Sequence, residues 1–259
     1  MNSHNKELFS MSRTKLFAGL ILAAAVAPSM AMAGESSSGD WDWAIAPYLW
    51  APAVHTNLKT SSPPVNSDNT TQFSDVVTKL QFALPVHLEG QGDDYGVLAD
   101  VMYLSLSQER NLTRFNTTTD QKVGTFELAG VWSPGETRYQ GFEAFAGLRY
   151  IWGSVDVLID PVNPLPPSVK VGIDKSYADF MVGARYTAVL SDKWSFTMRG
   201  DTSFGSTDGT YGASGLFKYQ TGNGAWVLGY RYMREKLGDH DKALEVKLYG
   251  PEVAYVFNL

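Results

Sequence analysis

Residues 141–152 read GFEAFAGLRYIW and alternate between two kinds of residue. Every second position from Phe142 onward is aromatic, aliphatic or alanine, whereas the positions between them include Glu143 and Arg149. Successive side chains of a β-strand point to opposite faces of the strand. Strict alternation over such a length therefore predicts a strand with one apolar face and one charged face.

The same alternation recurs at 178–188 and from residue 194 onward, where Asp179, Arg185 and Arg199 share the polar faces. Strands of soluble proteins average about 5–6 residues, whereas tilted membrane strands need about 9–11. A soluble sandwich would also hold its apolar residues inside and its charges outside. The length of these strands and the charges on their narrow faces favour a membrane barrel.

Aromatic residues stand at the ends of the apolar faces. Tyr95 and Tyr103 bracket the apolar run of the strand predicted at 95–107. At roughly 2.5 Å of height per tilted residue, the two rings lie about 20 Å apart. Aromatic rings mark both lipid–water boundaries of membrane barrels. We therefore expect the aromatic face to meet lipid and the charged face to line the interior.

The predicted fold is all-β: a transmembrane antiparallel up-and-down β-barrel of about ten strands, within a range of eight to twelve. The predicted strands are 41–59, 80–90, 95–107, 121–133, 140–156, 174–190, 194–205, 211–220, 225–236 and 245–259. Short links alternate with longer ones, which are typical of periplasmic turns and external loops. One short helix, capped by Ser74, is predicted within 73–84.

The beginning of the chain has the layout of a secretory signal peptide. A basic start precedes the apolar run 16–27, and Ala-Met-Ala follows at 31–33. The run is shorter than the roughly 20 residues that span a bilayer, although an uncleaved membrane anchor is the alternative. The predicted organisation is a signal peptide at 1–33 and an outer-membrane barrel at 34–259, exported to the bacterial outer membrane.

Composition excludes several classes of function. The 259 residues contain no cysteine, so the chain has neither disulfides nor thiolate metal ligands. Its net charge of −6 argues against a protein that binds nucleic acid. The sequence shows no phosphate-binding loop and no zinc-ligand spacing, and we expect neither a cofactor nor a metal.

The last strand alternates to the end of the chain through Tyr255, Phe257 and Leu259. This pattern resembles the C-terminal signature of Gram-negative outer-membrane proteins, whose usual last residue is Phe or Trp. The resemblance implies recognition of these three residues by the barrel-assembly machinery, with outer-membrane lipids and lipopolysaccharide as further partners. The opening WDWAIAPYLW at 41–50 and the later FSD at 73–75 resemble a group of small proteobacterial outer-membrane barrels of unassigned role. We expect a monomer.

The polar faces carry the candidate site residues. Buried charges must pair, because an unpaired one costs several kcal/mol. We therefore expect a stack of ion pairs in a narrow lumen, without an open water channel; the alternative is a narrow, charge-selective path. His87 is expected to form hydrogen bonds beside these charges. The predicted lumen-lining charges are Glu89, Asp100, Glu127, Glu143, Arg149, Asp179, Arg185, Arg199, Asp201, Lys218, Arg231 and Glu252.

The expected function is a structural or surface-interaction role, or low-conductance passage of small solutes. The alternative is a lipid hydrolase or acyltransferase acting at the outer rim. Such chemistry needs a base, usually histidine. His55 lies near the outer end of the first strand and His240 lies in the last external loop, so barrel closure would bring the two together. No serine stands in a nucleophile motif, and a solvated loop explains His240 equally, so we expect no enzyme.

Overall fold

The computed structural model describes residues 41–61, 64–111, 114–135, 137–162, 167–239 and 242–259. The predicted signal peptide lies outside these residues. The described part of the chain contains thirteen strands and one short helix. Their bounds are β1 (Asp42–Trp50), β2 (Ala53–Ser61), β3 (Pro64–Thr71), α1 (Phe73–Val77), β4 (Leu80–Ala83), β5 (Val86–Gln91), β6 (Tyr95–Asn111), β7 (Phe115–Trp132), β8 (Gly141–Pro161), β9 (Val169–Val189), β10 (Trp194–Gly205), β11 (Thr210–Gln220), β12 (Gly224–Asp239) and β13 (Lys242–Asn258).

The strands close into an antiparallel barrel. β1 pairs with β5, each strand from β5 to β13 pairs with the next along the chain, and β13 returns to pair with β1. β2 continues β1 along the same edge of β13, and β4 continues β5 along β6. Each of these interrupted pairs counts as one barrel strand, and β3 pairs only with β2 as a hairpin outside the closed ring. The barrel therefore has ten strands, and the predicted ten-stranded barrel is confirmed.

Prolines explain both interruptions. Pro52 separates β1 from β2, and Pro85 separates β4 from β5; neither residue has an N–H group to give to a ladder. The Ala51 N–H donates to the Pro251 carbonyl (2.9 Å) at the first interruption. A Cβ at Gly250 would collide with the Ala51 carbonyl oxygen, so this close approach of two backbones requires glycine.

The outer surface carries an apolar belt. Met198, Leu228 and Leu148 have 63%, 62% and 60% of their surface exposed, although they lie at the middle of long strands. Exposed aromatic residues border the belt. At the end with the chain terminus and the short turns they are Trp41, Trp43, Tyr95, Trp132, Phe142, Tyr186, Trp194, Trp226 and Phe257, and at the other end they are Tyr150, Phe180, Phe204, Tyr211 and Tyr230. An apolar surface of this extent is typical of contact with lipid.

Two aromatic residues depart from the expectation that aromatic faces meet lipid. Tyr48 and Trp50 of β1 are buried inside the barrel. Phe145 of β8 is buried too, but it belongs to the charged face that was expected to line the interior. The β1 pattern misleads because aromatic residues occupy both of its faces, with Trp43 outside and Trp50 inside.

The strands extend further outward than the sequence indicates. The segments 108–120 and 157–173, predicted as loops, are mostly strand, and β3 forms a hairpin with β2. Both segments contain β-branched residues, such as Thr117 to Thr119, and these residues favour extended backbone. β8 continues for nine residues beyond Trp152, which at roughly 2.5 Å of height per residue raises it about 20 Å above the belt.

The predicted short helix is present as α1, but its predicted cap is wrong. Gln72 occupies the N-cap position without a side-chain hydrogen bond, and Ser74 lies within the first turn. Val76 is the buried residue of this helix. Among the described residues, no helix is both long enough and apolar enough to span a bilayer.

Candidate functional site: the charged lumen

The buried Arg149 and the partly buried Arg199 join two carboxylates in the interior, and we call these four residues the Arg149 network. Arg149 Nη2 lies 2.7 Å from Glu127 Oε1 and 2.5 Å from Asp201 Oδ1. Arg199 contacts the other oxygens of the same carboxylates, at 2.9 Å from Glu127 Oε2 and 3.1 Å from Asp201 Oδ2. The side chains of Arg149 and Glu127 are completely buried. Because β9 lies between β8 and β10, the contact from Arg149 to Asp201 passes over the inner face of a third strand.

A second group, the Arg185 network, lies nearer the short turns. Arg185 Nε donates to Glu143 Oε2 (2.6 Å), and Arg185 Nη1 donates to Glu89 Oε2 (2.9 Å). Gln91 Nε2 donates to the same Glu143 (2.5 Å). Glu89 belongs to β5 and Arg185 to β9, which are separated by three strands in the barrel order. The Arg185 network therefore crosses the lumen.

His87 extends this network by bridging two carboxylates. Its Nε2 lies 3.2 Å from Glu89 Oε2 and its Nδ1 lies 3.2 Å from Asp100 Oδ2. Tyr48 donates to the other oxygen of Asp100 (2.9 Å). Both ring nitrogens face acceptors, and only the imidazolium form can donate from both. The geometry thus favours a charged His87, which partly offsets the excess of acidic groups in the lumen.

Asp179 is buried without a cation among its described partners, unlike the ion pair expected from the sequence. Ser203 Oγ (3.0 Å) and the Thr207 N–H (3.0 Å) donate to its carboxylate, as does the Thr207 hydroxyl. Glu235 on β12 is also buried and was missed by the sequence analysis. The every-second-residue alternation that contains Arg231 and Met233 continues at Glu235, so extending it by one step would have found this residue.

The three remaining predicted charges are paired weakly or not at all. Arg231 Nη1 lies 3.9 Å from Glu252 Oε2, at the outer limit of an ion pair, and its guanidinium lies 5.1 Å from the ring centre of Trp50. Lys218 makes no ion pair and no side-chain hydrogen bond among the described residues. It lines a cavity together with Arg231 and Glu252.

Side chains fill the lumen above this cavity. Tyr48, Trp50, Met102, Met233 and Leu248 pack into one buried cluster. Met102 comes from β6, which does not neighbour β1, β12 or β13 in the barrel order, so this cluster also crosses the interior. Each of the ten barrel strands contributes at least one inward side chain that is less than one-tenth exposed: Trp50, Glu89, Met102, Thr125, Arg149, Met181, Ser203, Thr210, Met233 and Leu248.

The turn between β7 and β8 reaches beneath the barrel. Tyr139 has a left-handed backbone (φ 59°), its N–H donates to Gln91 Oε1 (2.5 Å), and its hydroxyl donates to the Asp42 carbonyl (2.5 Å). Burial raises the pKa of the Tyr139 hydroxyl, so it stays protonated and able to donate. Arg138 lies 2.7 Å from Asp93 and 3.0 Å from Asp42; the hydrogen bond to Asp93, followed by that to Asp42, raises the pKa of its guanidinium. These contacts hold the turn at the lower mouth.

The rim site predicted at His55 and His240 lies only partly within the described residues. His55 Nδ1 lies 2.9 Å from Thr70 Oγ1 and 3.6 Å from Asp68 Oδ1. His240 is outside the described residues, so its approach to His55 stays a prediction. Within the described ranges, no group of three or more His, Asp or Glu side chains is arranged to hold a metal ion.

The end of the chain lies on the barrel wall beside the start of β1. The Leu259 N–H donates to the Trp43 carbonyl (2.9 Å). The ring centres of Trp226 and Tyr255 lie 5.0 Å apart and those of Tyr255 and Phe257 lie 4.8 Å apart. Phe257 and Leu259 are exposed on this outer surface.

No family model matches the chain, and no curated protein matches its sequence. Among solved structures, Ail, the attachment invasion locus protein of Yersinia pestis, is 11% identical with a TM-score of 0.39, over 83% of this chain and 99% of Ail. The outer membrane protease OmpT of Escherichia coli is 8% identical with a TM-score of 0.49, over 88% and 99% of the two chains. The translocator domain of the autotransporter NalP of Neisseria meningitidis is 11% identical with a TM-score of 0.32, over 83% and 88%.

At these identities the likeness concerns the fold alone. The class follows from this chain's own features: a closed antiparallel barrel, an apolar outer belt between aromatic rims, and a charged interior. Together they define a β-barrel of the Gram-negative outer-membrane type.

Proposed function

We propose that the protein is a closed outer-membrane barrel that acts through its outward-projecting strands in a structural or surface-interaction role. One observation carries the proposal: every barrel strand contributes a buried inward side chain, the Arg185 network and one apolar cluster cross the lumen, and the Arg149 network covers the inner wall from β7 to β10. A permanent water channel would leave a continuous set of inward side chains exposed. The filled interior therefore favours a scaffold over a pore.

The rest of the proposal concerns assembly and location. The signal peptide at 1–33 directs export, and the assembly machinery recognises Tyr255, Phe257 and Leu259 during insertion. Phe257 and Leu259 are exposed on the outer surface and thus accessible to such a partner. The belt contacts outer-membrane lipid, the rim contacts lipopolysaccharide, and the protein is a monomer.

Planar-bilayer recording of the refolded protein tests the closed lumen. We expect no discrete current steps at high salt from the wild type. As a control for successful insertion, protein recovered from the same membranes should show the heat-dependent migration on gels of a folded barrel. Regular steps from the wild type would overturn the proposal and support low-conductance passage of solutes.

Surface labelling of intact cells tests the orientation of the projecting strands. Lys170 and Lys175 lie on the part of β9 above the belt, whereas Lys193 lies in a short turn at the opposite end. A membrane-impermeant amine reagent should modify Lys170 and Lys175 on intact cells and Lys193 only after the cells are permeabilised. The reverse pattern would contradict an external role for these strands.

We also propose that the protein is not a lipid hydrolase or acyltransferase. The described contacts of His55 are a threonine and an exposed aspartate in one hairpin, which is typical of a structural hydrogen bond. Incubation with phospholipid and lipopolysaccharide should leave both lipid profiles unchanged, for the wild type and for His55→Ala alike. Lipid cleavage that His55→Ala abolishes would contradict this.

A further inference from the structure

A cavity lies in the lower half of the lumen, and its two sides differ in chemistry. Its volume is about 230 Å³. Small or apolar side chains from four consecutive strands leave the space open on one side: Ala44, Ala46, Leu216, Val227, Ala254 and Val256. The opposite side is formed by His87 and the Arg185 network. A cavity of about 150 Å³ holds a benzene molecule, so this one has room for a molecule of comparable or slightly larger size.

The charges around the cavity are unevenly satisfied. Arg185 contacts both Glu89 and Glu143, His87 contacts Glu89 and Asp100, and Tyr48 donates to Asp100. Lys218, in contrast, has no ion-pair or hydrogen-bond partner among the described side chains, although it lines the cavity. An ammonium group held in a narrow lumen is stabilised by an anion. The unsatisfied group of the cavity is therefore a cation.

Lys218 stands at the lower entrance of the cavity. It also lines a second space of about 330 Å³ beneath the barrel, together with Tyr139 and Asn258, which border both spaces. On the β11–β12 ladder, Lys218 is paired with Val227, and Ser214, four residues further up, is paired with Arg231. At 3.3 Å per residue, the backbone levels of Lys218 and Arg231 lie roughly 13 Å apart along the strands, with Leu216 at the level between them.

We propose that this cavity binds a small monoanionic organic acid, with its carboxylate at Lys218 and its short apolar body against Leu216, Val227 and Ala254. The single unpaired cation selects a monoanion, because a charge-assisted hydrogen bond to carboxylate is about twice as strong as a neutral one. The apolar wall selects a hydrocarbon body of about five carbons, a length that fits below Arg231. The anion enters from the space beneath the barrel, past Tyr139, so binding needs no open path through the membrane.

Calorimetric titration of the refolded protein in detergent tests this with three molecules of similar size: hexanoate, hexanamide and hexylammonium. We expect saturable binding of one hexanoate per barrel, with the amide and the ammonium ion binding about ten-fold more weakly or not at all. Lys218→Met keeps the aliphatic stem and should weaken hexanoate binding about ten-fold. Lys193→Met, which changes an exposed lysine outside the cavity, should leave hexanoate binding unchanged.

A second variant, Ser214→Phe, fills the cavity without changing its charge and should abolish hexanoate binding. Heat-dependent migration on gels shows whether each variant is folded; if Ser214→Phe is not, Lys218→Met alone decides. The proposal is overturned if hexanoate does not bind saturably, if it binds Lys218→Met as tightly as the wild type, or if hexylammonium binds equally well.

Discussion

Replacing Arg149 by methionine tests the energetic role of the Arg149 network. The side chain is fully buried and lies 2.7 Å from Glu127 and 2.5 Å from Asp201. Removing one partner from a buried ion pair costs about 3–5 kcal/mol, because it leaves an uncompensated charge. Arg199 still contacts both carboxylates, at 2.9 and 3.1 Å. We therefore expect a loss near the lower end of that range, about 3 kcal/mol.

Urea unfolding from lipid vesicles measures this loss, with tryptophan fluorescence as the signal. The matched control is Lys170→Met, because Lys170 and Asp156 form an ion pair at 3.7 Å with 65% and 39% of their side chains exposed. Such a pair contributes about 0–1 kcal/mol. A loss from Arg149→Met no larger than that from Lys170→Met would show that the buried network adds no more stability than an exposed ion pair. The double variant Arg149→Met, Glu127→Gln should lose less stability than the sum of the losses of the two single variants, because the two residues are in direct contact.

Two further predictions concern the wall and the external strands. The ring of Trp152 lies across Gly124, so a Cβ added at Gly124 would collide with it. A Cβ added at Gly130 would meet nothing within 4 Å. Gly124→Val should therefore cost about 1–3 kcal/mol in the same urea assay, and Gly130→Val should cost little. The hydrogen bond from Arg234, and after it the one from Lys247, lower the pKa of Glu245 to about 2. The unfolded group titrates near 4.3, so Glu245 stabilises the fold above that pH and loses this contribution as the pH falls toward 2. The stability difference between wild type and Glu245→Gln should therefore disappear on acidification; a difference that grows in acid would contradict the assignment.

The period-two alternation predicts which residues share a face, and this was enough for the barrel. The polar faces of β7, β8 and β10 follow from spacing alone, and the side chains of Glu127, Arg149 and Asp201 are buried there. The partners do not follow from spacing. The contact of Arg149 with Asp201 depends on how the tilted strands are staggered around the barrel, which no local pattern encodes.

Other features depend on local details that the alternation does not determine. Tyr48 and Trp50 lie inside because β1 has aromatic residues on both faces, so its pattern does not determine an orientation. Tyr139 reaches Asp42 through one left-handed residue in a turn. The external strands were predicted as loops because their alternation no longer separates apolar from charged residues once they leave the lipid.

Apolar side chains face lipid, while the lumen above the cavity is filled by side chains that exclude water. The chain has no cysteine, so single-cysteine variants provide a clean test. Leu148 is exposed on the belt, whereas Thr125 is buried inside at 3% exposure. In lipid vesicles, Leu148→Cys should react with a membrane-soluble thiol reagent and not with a charged one, and Thr125→Cys should react with neither. Rapid modification of Thr125→Cys by the charged reagent would contradict the account.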